Sequence, residues 1–202
     1  MTHDFKVWGV YTPTFFKGRH TWLEKVAGGW TLSGIMNAHS GFPWTPTYSN
    51  TGNNVVYPNS GFGTLRPAAY AGGAESNYSN SSFMRPNGNF PRGALAYFTL
   101  PTWPATGIPP APGVGRNSFR GPRYFGLDAS VAKAFGLPKV KGLGENARLN
   151  LQANVYNAFN KVNLTGINTT ISTDGRTSNP LFGQAQSAFS GRIVELQARL
   201  SF

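Results

Sequence analysis

The last nine residues of the chain alternate between apolar and polar side chains. Every second position is apolar, and this set is Val194, Leu196, Ala198, Leu200 and Phe202. The positions between them hold Glu, Gln, Arg and Ser. A repeat of two residues predicts a β-strand with one apolar and one polar face. The same repeat recurs in 147–156, 125–131, 30–39 and, less regularly, 5–12.

These segments predict strands over 5–12, 30–41, 119–135, 146–159 and 194–202. Their connections alternate between short turns and long loops. Short turns at one rim, long loops at the other and strands of about ten residues are typical of a transmembrane β-barrel. The predicted fold class is all-β. It is an antiparallel up-and-down meander of about five strands, part of a larger transmembrane β-barrel, with one long irregular loop.

Segment 43–118 differs in composition from the rest of the chain. It contains 11 of the 15 prolines and few charges. Such a density of Pro and Gly excludes a regular helix or a central strand. We therefore expect two barrel strands and a periplasmic turn in 1–42, and a long extracellular loop rich in Pro, Gly and aromatic residues in 43–118. Three barrel strands that end at Phe202 are expected in 119–202.

Charge and composition narrow the classes of function. The 202 residues include 18 Lys and Arg but only 7 Asp and Glu, which gives a net charge of +11. The basic residues are scattered, so no nucleic-acid partner is expected.

Because cysteine is absent, a disulfide framework and a Cys-ligated metal are excluded. No cofactor is predicted. No apolar run approaches the roughly 18 residues of a transmembrane helix, and no signal peptide is visible.

Four blocks of sequence share their order with a known family. They are Gly28–Ile35 with Ser40–Thr45, Gly115–Pro122 with Leu127–Val131, Leu149–Asn160, and Phe182–Gln184 before the strand that ends in Phe202. Together they resemble the C-terminal barrel portion of TonB-dependent outer-membrane receptors. The closest resemblance is to the Oar-like group, which has an N-terminal carboxypeptidase-regulatory-like domain. Such receptors combine a plug with a barrel of about 22 strands.

The resemblance implies a C-terminal receptor fragment in the bacterial outer membrane, with barrel wall and extracellular ligand-facing loops. The implied partners are the rest of the barrel, the plug, outer-membrane lipid, lipopolysaccharide and an unknown ligand. The insertion machinery would recognise the terminal strand through Val194, Leu196, Ala198, Leu200 and Phe202. Without the plug, we expect no transport by this chain alone. Its two open strand edges also predict self-association.

The long loop and its boundary hold two candidate contact sites. Aromatic side chains beside Asn and Ser suit a sugar or peptide ligand. This set is Trp44, Tyr48, Tyr57, Tyr70, Tyr78, Tyr97 and Trp103. The alternative is that the loop packs on its own aromatic residues. Arg116, Arg120 and Arg123 are candidates for binding the phosphates of lipopolysaccharide, the alternative being ordinary solvation at the rim.

Signals for catalysis are weak. Ser130 and Lys133 fit the S-x-x-K pattern of serine β-lactamases, but on a strand these positions point to opposite faces. No pair of histidines has the helical spacing of a zinc site. We therefore expect no enzyme and no catalytic or metal site. The alternative function is a soluble β-sandwich or small barrel that binds carbohydrate, in which the apolar faces would pack into a core.

Overall fold

The computed structural model describes residues 2–14, 18, 21–48, 66–73, 79–101, 113–137 and 147–202. The chain divides into two compact units. We call the first the sheet unit; it comprises Asp4–Ala38, Phe125–Val162 and Ser190–Phe202. We call the second the loop unit; it comprises Met1–His3, His39–Tyr124 and Asn163–Phe189.

The regular structure is almost entirely β. In chain order the strands are β1 (Asp4–Tyr11), β2 (Trp30–His39), β3 (Pro43–Trp44), β4 (Ala69–Tyr70), β5 (Phe98–Thr99), β6 (Phe119–Arg120), β7 (Tyr124–Gly136), β8 (Arg148–Tyr156), β9 (Leu164–Ile167), β10 (Ala185–Ala188) and β11 (Ile193–Ser201). The described residues also form one short helix, α1 (Trp22–Ala27), and two 3-10 turns, Asn80–Met84 and Ala94–Ala96. Within the described ranges, none of the helices has the length and hydropathy needed to cross a bilayer.

The sheet unit is built on one five-stranded sheet with the order β1-β2-β7-β8-β11. This order follows the chain once the short strands of the loop unit are set aside. β8 runs antiparallel to β7 on one side and to β11 on the other. The sheet is open, because β1 and β11 each have a single neighbour among the described strands. The predicted fold class, an antiparallel meander that forms part of a barrel, is confirmed.

The register of the sheet separates its two faces. Val131, Ala153 and Leu196 are direct neighbours across β7, β8 and β11. One position further along, Asn154 of β8 pairs with Glu195 of β11. Because successive side chains of a strand point to opposite faces, the sheet has an apolar face, marked by Leu196, and a polar face, marked by Glu195.

Two predicted strand boundaries are wrong for local reasons. The predicted strand 119–135 is two strands, because Pro122 has no amide hydrogen for a ladder and interrupts the segment. Its first part, β6, pairs with β3 instead. The predicted strand 146–159 ends earlier, at Tyr156, because Asn157 takes a left-handed conformation with φ of 49°. The helix α1 was not predicted and lies in the connection that was expected to be a turn.

The loop unit is organised around an aromatic core. Its buried members are Trp44, Tyr48, Phe90, Ala94, Phe98, Val114, Phe119, Ile171 and Phe182. The ring centroids of Phe90 and Phe182 lie 4.8 Å apart, and those of Phe98 and Phe119 lie 5.7 Å apart. Segment 43–118 therefore does not pack on itself alone, since Ile171 and Phe182 come from the connection between β8 and β11.

Candidate functional site

The apolar face of the sheet is the first feature that bears on function. Leu196 is 83% exposed, and Val194, Leu200 and Leu151 are also exposed. These are large aliphatic side chains on one continuous surface, as the register of β8 and β11 shows. A patch of this kind normally marks contact with a partner or a membrane. The soluble alternative requires this face to be buried, and it is not.

The structure brings four of the five residues of the predicted insertion signal onto one surface. Val194, Leu196, Ala198 and Leu200 all lie on the apolar face of β11. Phe202 follows the strand and is 84% exposed. Because β11 is an edge strand, its outer backbone groups are available to another strand. This arrangement suits recognition by strand pairing, and recognition by the insertion machinery stays a prediction.

The polar face carries a network of amides, hydroxyls and carboxylates. The side-chain amide of Gln152 donates to Ser130 Oγ at 3.1 Å and to Asn154 Oδ1 at 2.7 Å. The hydroxyl of Tyr156 donates to Glu195 Oε2 at 3.4 Å. A surface with donors and acceptors of this kind is compatible with water and hydrated solutes, as in the lumen of a barrel.

Ser130 and Lys133 are separated by the sheet itself. Ser130 pairs with Asn154 on the polar face, whereas Lys133 pairs with Leu151 on the apolar face. The lysine therefore cannot activate the serine hydroxyl, as the alternation of a strand requires. The two side chains of the S-x-x-K pattern thus lie on opposite faces of β7.

A rim turn held by Asn157 was missed by sequence reasoning. The amide of Asn157 donates to Asp128 Oδ1 at 2.8 Å. Its side chain donates to the carbonyl oxygens of Lys161 and Ser190, at 3.0 and 3.2 Å, and accepts from the Lys161 amide at 2.9 Å. The turn thus joins the end of β8 to β7 and to the segment that leads into β11. The signal was an Asn directly after the periodic segment, since Asn tolerates a positive φ.

The predicted ligand aromatics are used largely for packing. Trp44 and Tyr48 are buried core residues, and the ring of Trp44 lies 5.1 Å from that of Phe119. Tyr70 and Tyr97 pack against the same core. The remaining three members, Tyr57, Tyr78 and Trp103, lie outside the described residues. The alternative interpretation, in which the aromatic residues of the loop serve packing, expected this arrangement. Contact between these aromatic residues and a ligand stays a prediction.

The three predicted lipopolysaccharide contacts belong to the loop unit. Arg116 and Arg123 are exposed and Arg120 is half-buried on β6. The backbone of Arg123 is held by one side chain. Its amide donates to Asn80 Oδ1 at 2.9 Å, and Asn80 Nδ2 donates to its carbonyl oxygen at 3.2 Å. The side chain of Arg123 thus extends from a fixed backbone position, and its contact with a phosphate stays a prediction.

A second missed feature is the turn around Asp174 in the loop unit. Its Oδ1 accepts from the amides of Thr177 and Arg176, at 2.7 and 2.8 Å, and from Ser172 Oγ at 2.9 Å. The Thr177 amide, followed by the other donors, holds the pKa of this carboxyl well below its usual value. The sequence Ser-Thr-Asp-Gly is a turn signal that could have identified it.

The described residues contain no group of three or more His, Asp or Glu side chains arranged to hold a metal ion. The features that bear on function are the two faces of the sheet and, described separately, the aromatic core of the loop unit.

Comparison with known proteins agrees with this architecture. Residues 1–195 match the family model described as the outer membrane beta barrel domain. The chain belongs to this family. No curated protein and no solved structure matches the chain. In an outer-membrane barrel the apolar face of the wall meets lipid and the polar face meets the lumen. The predicted location, the bacterial outer membrane, is confirmed, and the soluble carbohydrate-binding alternative does not agree with it.

Proposed function

We propose that this outer-membrane barrel chain is the C-terminal part of the wall of a TonB-dependent receptor of the Oar-like group. The observation that carries the proposal is the open sheet, in which β1 and β11 are both edges among the strands that the structure describes. In lipid, each unsatisfied backbone group costs several kcal/mol, so an open five-stranded sheet needs further strands. This chain is then one section of a larger barrel.

The resembling sequence blocks support the same proposal, because two of them pair in space. Pro43 pairs with Arg120 and Trp44 with Phe119, so the block Ser40–Thr45 meets the block Gly115–Pro122. Residues 75 or more positions apart in sequence therefore act as one structural element of the loop unit.

In the proposed receptor, this chain supplies wall and loops but not the plug. The loop unit would contribute to ligand binding outside the cell, and the polar face would line the path through the barrel. Energy for import would reach the receptor through the plug. The rest of the barrel, lipopolysaccharide and the insertion machinery are the proposed partners, and the open edges would pair with strands of the same receptor or with a second copy.

The test is retention of the native polypeptide by the periplasmic domain of TonB. Outer membranes of the source bacterium are solubilised in mild detergent and passed over immobilised TonB. An antibody against residues 148–202 then detects the polypeptide that carries this chain. We expect a retained polypeptide several times larger than 21.8 kDa. A polypeptide of 21.8 kDa that passes through without retention would reject the receptor proposal while leaving the outer-membrane location intact.

Transport by the isolated chain is the second point to test. The chain is exported to the outer membrane of a strain that lacks TonB-dependent receptors, and uptake of a panel of iron chelates, cobalamin and oligosaccharides is measured. We expect uptake to equal that of the empty strain, because the open sheet encloses no pathway. Energy-dependent uptake by the chain alone would contradict the proposal.

A further inference from the structure

Lys133 is a charged residue on a face that meets lipid. It pairs with Leu151 and lies between Val131 and Phe135 on the apolar face of β7. A lysine at such a position is costly unless its ammonium group reaches a polar partner or the membrane surface. The side chain is only 5% exposed, so it is covered by other parts of the sheet unit.

The cover is the helix α1. Lys133 Nζ donates a hydrogen bond of 2.5 Å to the carbonyl oxygen of Val26. The indole Nε1 of Trp30 donates to the same oxygen at 3.0 Å. Carbonyl oxygens in the last turn of a helix have no partner within the helix and carry partial negative charge. Two donors from β2 and β7 therefore fasten the C-terminal end of α1 to the sheet.

Aromatic rings enclose the same ammonium group. Lys133 Nζ lies 4.8 Å from the ring centroid of Trp30 and 5.0 Å from that of Phe135. Cation–π contacts of this kind are strengthened where water is excluded. Trp30 and Phe135 are also exposed members of the apolar side of the sheet unit. The lysine pocket is thus continuous with the surface that meets lipid.

The outer side of α1 is apolar and exposed. Trp22 and Val26 are four residues apart, so they lie on one side of the helix. Their side chains are 70% and 59% exposed. Trp is enriched where its ring can lie at the boundary between headgroups and acyl chains. A tryptophan and a valine on a helix held at the end of the strands match that boundary.

We propose that α1, fastened by Lys133 and Trp30, is an interfacial anchor that inserts Trp22 into the phospholipid headgroup region at this rim of the barrel. The occupant is a phospholipid surface, because the anchor is continuous with the lipid-facing surface of the sheet. The inference rests on membership of the outer-membrane barrel family. It is independent of the receptor proposal.

The test uses fluorescence quenching in vesicles made with brominated phospholipids. The full chain and its Trp22→Phe variant are inserted into vesicles with bromine near the headgroup or deep in the acyl chains, and unbound protein is removed by flotation. The difference between the two proteins is the Trp22 signal. We expect stronger quenching by the shallow bromine than by the deep one. A Trp22 signal that no bromolipid quenches, or that the deep bromine quenches more, would overturn the proposal.

The fastening role of Lys133 is tested with Lys133→Met. We expect the Trp22 signal to lose its bromolipid quenching and to become accessible to acrylamide in water. The control Lys161→Met removes an exposed lysine of the Asn157 turn and should change neither. Lys133→Arg keeps the positive charge and should retain the quenching. If Lys133→Met leaves the quenching as in the parent chain, Lys133 does not hold the anchor. If Lys133→Met prevents folding, a folded Lys133→Arg variant that has lost the quenching would contradict the holding role assigned to the positive charge.

Discussion

Gly41 lies directly against the backbone of Gly121. A Cβ built on Gly41 would stand 1.8 Å from the carbonyl oxygen of Gly121. The amide of Gly121 in turn donates a hydrogen bond of 2.9 Å to the carbonyl oxygen of Phe42. Only glycine permits so close an approach of two backbones. The contact joins the segments that form β3 and β6, and with them the aromatic core of the loop unit.

The first prediction is that Gly41→Ala destabilises the loop unit. The added methyl group overlaps a backbone oxygen, which no rotamer change can relieve, so the free energy of unfolding should fall by about 1–3 kcal/mol or more. The measurement is urea unfolding in detergent micelles, followed by tryptophan fluorescence. The control is Gly115→Ala, because a Cβ at Gly115 meets nothing within 4 Å. Equal stability of the two variants would contradict the predicted contact.

The second prediction concerns which face meets lipid. The chain has no cysteine, so Leu196→Cys and Gln197→Cys each give a single attachment site for a spin label. In membranes, the label at 196 should be accessible to oxygen and protected from a water-soluble nickel reagent, because it faces acyl chains. The label at 197 should show greater accessibility to nickel, because it faces the lumen. Protection of residue 196 from both reagents would indicate a packed core instead of lipid.

The third prediction compares the stability of arginine variants at Leu196 and Gln197. Arginine on the lipid-facing side of a barrel strand costs about 2–4 kcal/mol near the bilayer midplane. We therefore expect Leu196→Arg, in the middle of β11, to reduce the stability of the inserted protein by an amount of this order. Gln197→Arg should be tolerated, because its side chain faces the polar side. The measurement is unfolding by urea from vesicles, and similar losses in both variants would contradict the assigned faces.

The strands of the sheet were predictable because their signal is local. A repeat of two residues sets both the strand and its faces, and β1, β2 and β11 begin and end within three residues of the predicted limits. The interruption between β6 and β7 was missed because one proline outweighs an otherwise continuous pattern. The helix α1 was missed because six residues are too few to show a helical repeat.

The candidate site was less predictable because its contacts are long-range. Trp44 and Tyr48 fit a ligand surface as well as a core, and the choice depends on Phe182 and Ile171, which lie far along the chain. From the sequence, Lys133 was noted only as part of the S-x-x-K pattern. Its contact with the carbonyl oxygen of Val26 was missed because the two residues are 107 positions apart. No local pattern identifies a backbone oxygen as the partner of a side chain.

The fourth prediction is a pH dependence at Asp174. Its pKa is lowered in the folded state, chiefly by the Thr177 amide, so ionisation stabilises the turn. This stabilisation is fully present above the unfolded value, near 3.8, and is lost as the pH falls from that value through the lower folded pKa. Hydrogen-exchange protection of the Thr177 and Arg176 amides should therefore fall in acid. Asp174→Asn should remove this pH dependence. If the protection of the two amides still falls in acid in the variant, the dependence belongs to another group.

The last prediction tests the arginines at the boundary of the loop unit. If Arg116, Arg120 and Arg123 bind lipopolysaccharide phosphates, their combined replacement by Gln should weaken binding of purified lipopolysaccharide. The binding that remains should depend less on salt, because fewer ion pairs are left for the salt to screen. The matched control replaces Arg85, Arg92 and Arg176, which are exposed in the same unit, and changes the net charge equally. A specific contact predicts weaker binding in the first variant alone. Equal weakening in both variants would show that general positive charge attracts the lipid, and unchanged binding in both would leave these arginines as solvated rim residues.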